Sequence, residues 1–351
     1  MPRLIIRSPN HVGDCVMSLS AVGALRDLFR DSQINILAPD FLAGLYKNHP
    51  SVDEVYTLRA GAQHGVASIS GIARELARAG GGFEIGILLT DSLSSAIGFR
   101  LARVTKRYGY PGNARRALLS AAADPRGLIH RSTRYQRLVS FAARRFWANP
   151  YWVDEVSFEP PAIYLKESER KAAETLLRSG GALDRRQFIA LAPQAVAESR
   201  RWGLDNYAAL ARRIVAELDC SVALIGSSAD RAAGETVRAL AGAGVYNLCG
   251  LTRLRGAAAL LERAACFVGN DSGVAHLAAL VNTPLVALSG ADKPAETSPV
   301  SQRKTVLIRS ELACISCVKN VCPRSGAERM RCMKLIAVGE VFDAVRGRLV
   351  Q

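Results

Sequence analysis

The chain has 351 residues, 49% of them apolar and 22% charged, enough to bury two domain-sized cores and unlike a disordered or collagen-like chain. Its 46 basic residues, 38 of them arginine, face 31 acidic ones and leave a net charge of +15. So many planar guanidinium forks suit phosphate-bearing partners better than they suit solubility alone.

Residues 4–6 form a short apolar strand, and residues 1–9 are too short and too soon interrupted by Arg7 to act as a secretion signal. After a loop through Asn10 and Gly13, apolar spacing predicts a helix over 16–29, a strand over 34–38, a helix near 71–79 and a strand over 85–89. Residues 148–167, with Pro150, Pro160 and Pro161, read as an inter-domain connection. Beyond it come a strand at 188–192, a helix at 206–218, a strand at 222–225, helices at 229–241 and 257–264, and a strand at 266–268. A helix at 274–280, a strand at 284–289 and a final helix at about 339–349 complete the order. The uncharged run 273–288 holds His276, Asn282 and Pro284 and is shorter than the ~20 apolar residues a membrane span needs. Short apolar strands alternating with longer helices predict parallel sheets, hence an α/β protein of two Rossmann-like, doubly wound domains facing a central cleft. Ligands in such sheets bind beyond the carboxyl ends of the strands.

Three strand-to-helix junctions carry polar residues where plain turn residues would serve. The first is Ser8-Pro9-Asn10-His11-Val12-Gly13-Asp14. Asp14 reads either as an N-cap satisfying the free amides of the next helix or as a general base toward a hydroxyl, and both readings stay open at this point. The second is Gly269-Asn270-Asp271-Ser272-Gly273, followed by His276. Its amides, the Ser272 hydroxyl and the helix dipole could hold a diphosphate, or form only a turn. The third is Glu198-Ser199-Arg200-Arg201-Trp202, whose adjacent arginines could fork phosphate oxygens or simply be solvated.

Their joint order resembles glycosyltransferase family nine, the heptosyltransferases of lipopolysaccharide inner-core synthesis, over nearly the whole chain. Asn10 to Ser18 resembles the family's Asn-Trp-Ile-Gly-Asp motif, and Arg200-Arg201-Trp202 its Lys-Arg-Trp-Pro motif. Ile225-Gly226-Ser227 with Asp230 and Glu235, then Asn247 to Thr252, then Asn270 to His276 complete the series. The Asn-Asp-Ser-Gly form is closer to the second heptosyltransferase of that pathway than to the first. The resemblance implies a GT-B fold and an inverting transferase that carries heptose from ADP-L-glycero-D-manno-heptose to a phosphorylated lipid A–core acceptor, without a cofactor. It implies Asp14 as catalytic base, Arg200 and Arg201 at the phosphates, and Glu235, Asp271, Ser272, Gly273 and His276 around the donor. Asn10, Gly13, Arg115 and Arg116 would stand on the acceptor side. His11 replaces the family's Trp, Arg200 its Lys, and Gly203 its Pro, so the acceptor contact and phosphate geometry are open to change.

Residues 100–145 hold 12 basic residues and one acid, Asp124, for a local +11. That patch reads as a solvated face, as an address for an anionic inner-membrane surface, or as a nucleic-acid contact, and the absence of any nucleic-acid motif counts against the last. A monomer, cytoplasmic and peripherally attached to the inner membrane, is expected. Cys314, Cys317, Cys322 and Cys332 are spaced plausibly for a structural zinc or iron–sulfur site, or stand as free thiols with a structural role. The remaining cysteines, Cys15, Cys220, Cys249 and Cys266, read as small core residues. The rival readings are a family-nine transferase with another donor or acceptor, and a non-enzymatic, metal-containing binding protein. The expected domains are 1–160 for the acceptor, 161–335 for the nucleotide sugar with the cysteine-rich tail, and 336–351 as a helix packing back on the first.

Overall fold

The computed structural model describes the chain except residues 62–64, 128, 148–150, 184, 186 and 350–351. Two units emerge, Met1–Tyr164 and Leu165–Gln351. Their boundary falls in the expected proline-rich connection, of which Pro150 lies outside the described residues.

The first unit is one parallel sheet of β1 (Arg3–Arg7), β2 (Gln33–Pro39), β3 (Glu54–Leu58), β4 (Ile85–Leu88), β5 (Lys106–Gly109) and β6 (Ala121–Ala122), in the order β3-β2-β1-β4-β5-β6. In register, Ile5 of β1 stands opposite Asn35 on one side and Gly86 on the other. Strand β1 is buried along Ile5 and Ile6 because helices cover both faces, which explains its unbroken apolar run. The helices are α1 (Val12–Gly23), α2 (Gly65–Arg78), α3 (Leu93–Leu101) and α4 (Arg131–Phe146). Ile5, Leu37, Ile72, Leu76, Phe83 and Phe99 form the core of one face. The helix expected at 16–29 is two pieces: α1 begins four residues earlier, and a separate turn, Leu25–Leu28, follows it. Strands β3, β5 and β6 are not among the expected strands: β3 and β6 are the sheet edges, and Lys-Arg-Tyr-Gly and Ala-Ala carry no hydrophobic alternation.

The second unit repeats the plan with β7 (Gln187–Ala192), β8 (Cys220–Leu224), β9 (Val245–Asn247), β10 (Cys266–Asn270), β11 (Leu285–Leu288) and β12 (Lys304–Leu307). Their order, β12-β11-β10-β7-β8-β9, is again that of a doubly wound sheet, with the chain reversing direction between β7 and β10 as it does between β1 and β4. Helices α5 (Glu167–Ser179), α6 (Leu204–Glu217), α7 (Arg231–Ala241), α8 (Leu254–Glu262), α9 (Gly273–Leu280) and α10 (Val338–Leu349) accompany it.

The last helix departs from expectation. Helix α10 packs against α6, β10 and β11 of its own unit, where Val341, Phe342 and Val345 are buried with Tyr207, Ile214 and Val286. Its apolar face completes the second core, so the domain expected at 161–335 extends through the helix.

Gly269 lies in β10 just before the polar junction. A β-carbon there would stand 2.5 Å from the tip of the Phe267 ring and 3.4 Å from the Ala192 β-carbon. A buried aromatic ring cannot yield without moving its strand, so Gly269→Ala should destabilise the protein by about 1–3 kcal/mol. Chemical denaturation with unchanged m-value is the check; a variant as stable as the parent would show that β10 has slack.

Candidate functional site

In the first unit the polar junction follows β1. Arg7 is wholly buried at the strand's end and donates to the Ser8 carbonyl oxygen and to Asn10 Oδ1, both at 2.6 Å. Burial pushes the Arg7 guanidinium down to about 10. Asn10 is thereby held with its amide oxygen turned toward a cation. His11, exposed and extended, is the N-cap of α1 and its ring makes no capping bond. Asp14 is therefore the third residue of the helix and not its cap. It pairs with Arg131, at the start of α4, at 2.6 Å, and its side chain keeps 14% exposure. The buried Tyr135 lies close by, and burial with the Asp14 charge holds its phenol well above the usual range.

Arg131 was hidden to sequence reading inside the basic run, as was Asp91 at the end of β4. Arg115 does not stand free on the acceptor side. It is fully buried, donates from Nε to the Tyr110 carbonyl oxygen at 2.7 Å, bonds the Thr90 carbonyl, and pairs with Asp91 at 3.1 Å. Arg115 is a strut for the loops after β4 and β5, and Gly109 can lie against it because glycine leaves room. Arg116 is exposed. Elsewhere in the basic run, Arg107 bonds backbone carbonyls, Arg126 pairs with Asp124, and Arg144 pairs with Asp154. The patch is thus less free charge than the +11 suggests. A cavity of about 550 Å³ opens along α4, with Tyr110, Phe141 and Phe158 as apolar walls and Arg126, Arg137 and Arg144 at its rim.

In the second unit the site gathers at the carboxyl ends of β7, β10 and β11. Asn270 is fully buried, donates to the Pro193 carbonyl oxygen at 3.1 Å and accepts from the Trp202 amide at 3.1 Å. One amide side chain therefore ties the excursion after β7 to the end of β10. Trp202 is buried edge-on to Tyr207 and donates from Nε1 to the Ile336 carbonyl oxygen at 2.8 Å. Gly203 follows at φ 106°, which proline, with φ fixed near −65°, cannot adopt; the replacement of the family's Pro therefore changes the turn itself.

Buried polar atoms without a hydrogen-bond partner among the described residues occur in both units; at the junctions after β7 and β10 they include Gln194 Oε1, Arg200 Nε, Ser272 Oγ and His276 Nδ1. Buried polar atoms left unpaired are costly, so those at these junctions suit the polar groups of a ligand. Ser272 is the N-cap of α9 yet its hydroxyl makes no capping bond, which leaves hydroxyl and first-turn amides available to an anion. Asp271 and His276 are 5% and 4% exposed, with Nε2 and Oδ1 at 3.7 Å. Burial alone would raise Asp271, but hydrogen bonding and charge from His276, with Arg200 nearby, hold it below the usual carboxylate range. Arg201 is committed differently, donating from Nε to the Ala195 carbonyl oxygen at 2.9 Å. Glu235, one turn into α7, is exposed and engages Arg238 and Asn247, so the structure gives it other partners than this cluster. Gln194 and Asp292, just beyond β11, were missed: each is one polar residue in a loop, and no spacing signals it.

The cysteine tail carries no disulfide. Its four thiols are free, Cys317 exposed and the others half-buried. Burial, together with charge from Cys314, Cys317 and Cys322, raises the Cys332 thiol. Yet among the described residues no three His, Cys, Asp or Glu side chains stand where they could hold a metal ion. Instead the tail braces the second site. The Ser316 amide donates to Gly290 O at 2.9 Å, Val318 to Ala291 O at 2.6 Å and Ser199 to Asn320 O at 3.1 Å. Among the described residues no helix is long and apolar enough to cross a membrane.

The chain is similar to known proteins over most of its length. The family model of glycosyltransferase family 9 (heptosyltransferase) matches residues 72–327. The lipooligosaccharide heptosyltransferase 2 of Haemophilus influenzae is 30% identical over 88% of this chain and 90% of its own. The lipopolysaccharide heptosyltransferase 2 of Salmonella typhimurium is 29% identical over 87% of each. The solved structure of E. coli ADP-heptose lps heptosyltransferase II superposes with a TM-score of 0.79 at 24% identity, over 100% of this chain and 99% of that one. The chain belongs to glycosyltransferase family 9, the heptosyltransferases.

Proposed function

We propose that the protein is an inverting heptosyltransferase that carries heptose from ADP-L-glycero-D-manno-heptose to the phosphorylated inner core of lipopolysaccharide. The observation that carries this reading is the set of four empty polar atoms around the start of α9. A nucleoside diphosphate sugar supplies what they lack. Phosphate oxygens accept from Arg200, Ser272 and the free amides of α9, and sugar hydroxyls serve Gln194 and His276. The relatives at about 30% identity are heptosyltransferases of the same kind.

Asp14 takes the proton from an acceptor hydroxyl as its oxygen attacks the anomeric carbon of the donor from the side opposite the diphosphate. A carboxylate at this helix start is held by Arg131 in the absence of acceptor. When acceptor arrives, Arg131 is placed to turn to an anionic group on it and leave Asp14 to the hydroxyl. As the sugar–phosphate bond breaks, charge grows on the leaving ADP, and Arg200 with the amides of α9 meets it without rearranging. No cofactor is proposed. The cavity beside α4, with aromatic walls and an arginine rim, suits a phosphorylated sugar acceptor, and the basic surface around it suits peripheral attachment to an anionic inner-membrane leaflet.

The test is transfer from ADP-heptose to defined truncated lipopolysaccharide acceptors, with the new linkage analysed. Turnover with ADP-heptose, and a slower rate with UDP- or GDP-linked sugars, is expected. Equal or faster transfer from another nucleotide sugar would overturn the donor assignment. Vesicle binding should fall steeply as salt rises through physiological strength, since the attachment is a matter of exposed charge; a flat salt dependence would remove the membrane part of the proposal.

A further inference from the structure

The cysteine-bearing tail grips the segment that carries Arg200 on both sides of that residue. On one side Ser199 is 2% exposed; its amide donates to the Asn320 carbonyl oxygen at 3.1 Å, and its hydroxyl donates to the Lys319 carbonyl oxygen. On the other, the buried Trp202 donates from Nε1 to the Ile336 carbonyl oxygen at 2.8 Å. The same stretch reaches the loop after β11, where the Ser316 and Val318 amides donate to the consecutive carbonyls of Gly290 and Ala291. Its far end is fixed, because Met333 and Ile336 are buried in the second core. We propose that Ser199 is a positioning residue through which the tail holds Arg200 at the donor phosphates.

This rests on the reading of Arg200 as a donor-phosphate residue and assigns what keeps it in place. A long, flexible side chain meets developing charge without rearranging only if its backbone is held by its surroundings. Glu198–Arg200 is a single tight turn, closed by the Arg200 amide on the Ala197 carbonyl oxygen at 3.1 Å, and one such turn does not hold itself. The ion pair of Glu198 with Arg329 of the tail adds little, since the two side chains are 42% and 48% exposed. The bonds of the buried Ser199 therefore carry the grip. Ser316 and Val318 both hold φ 56°, a left-handed conformation that a β-branched valine avoids. Such strain persists only where neighbouring contacts over-determine it, and these two residues are the ones whose amides reach Gly290 and Ala291. The tail is held against the site loops and does not simply rest on them.

Ser199→Ala removes the hydroxyl donor and keeps the backbone bond. In the full chain, kcat/KM for ADP-heptose should fall about tenfold and the Kd of ADP rise about threefold to tenfold, with the acceptor KM unchanged. In an Arg200→Ala background the same change should cost less than about twofold, because no guanidinium is left to misplace. A general loosening of the fold would cost the same factor in both backgrounds. Equal factors, or a Ser199→Ala enzyme as active as the parent, would overturn the proposal. Amide hydrogen exchange on the unaltered chain is a second test that needs no variant to fold. The Ser199, Ser316 and Val318 amides should exchange with one common free energy, and saturating ADP should slow all three by about tenfold or more. A Ser199 amide that exchanges independently of the other two, or that ADP leaves unchanged while calorimetry shows ADP bound, would also overturn it. An Arg200→Ala enzyme with parental activity and ADP affinity would refute the donor reading of Arg200. An impaired Arg200→Ala enzyme with equal Ser199→Ala factors in both backgrounds would refute only the part played by Ser199.

Discussion

Asp14→Asn should lower transfer by about 100-fold to 10,000-fold while leaving ADP affinity unchanged. The substitution keeps size and hydrogen-bonding shape but removes the basic oxygen, so the loss should appear in kcat with both KM values little moved. The reasoning is local. Asp14 is the third residue of α1, its side chain keeps contact with solvent, and its ion-pair partner Arg131 is a partly exposed arginine that an acceptor could displace. An N-cap would have shown the opposite signature, with Asn retaining both the cap and the rate, because asparagine caps helices as well as aspartate does. Retention of more than about a tenth of the rate would therefore return Asp14 to a structural role.

The second large effect separates two adjacent arginines. Arg200→Ala should reduce kcat by about 100-fold or more, the cost of removing one preorganised donor from developing phosphate charge. Arg201→Ala should cost about tenfold or less, because its Nε already holds the Ala195 carbonyl and its loss loosens a loop without emptying the site. Arg200 has an Nε without a hydrogen-bond partner and acts electrostatically on Asp271. Steady-state kinetics with ADP-heptose as the varied substrate decides between them, and equal losses at both positions would show that the pair works as one fork.

What sequence reading reached, and what it did not, follows from which interactions leave a periodic trace. Strands β1, β2, β4, β7, β8, β10 and β11 are buried on both faces and read as unbroken apolar runs, so their places were legible within a residue or two. The edge strands β3, β6, β9 and β12, and β5 beside β6, are short, partly exposed or polar, and their existence depends on a neighbour that local sequence does not reveal. The same contrast holds at the site. Asp14, Arg200, Asp271, Ser272 and His276 sit at strand-to-helix junctions, where composition alone singles them out. Gln194, Arg131 and Asp292 are brought there by folding from separate loops and helices. Arg115, expected on the acceptor side, shows the reverse: a guanidinium with five donors is also an efficient way to tie several backbone carbonyls together.

The docking of α10 has a bearing on how the chain is made. The first unit is complete once Tyr164 has left the ribosome, and it can fold while the rest is being synthesised. The second unit cannot, because Val341, Phe342 and Val345 belong to its core and are synthesised some ~180 residues after Tyr164. At about 5–20 residues per second, roughly 10–40 s separate the two events, during which a half-built apolar sheet is open to chaperones and to other nascent chains. Losses in expression should therefore concentrate in variants of the second unit, even where the finished enzyme would tolerate them.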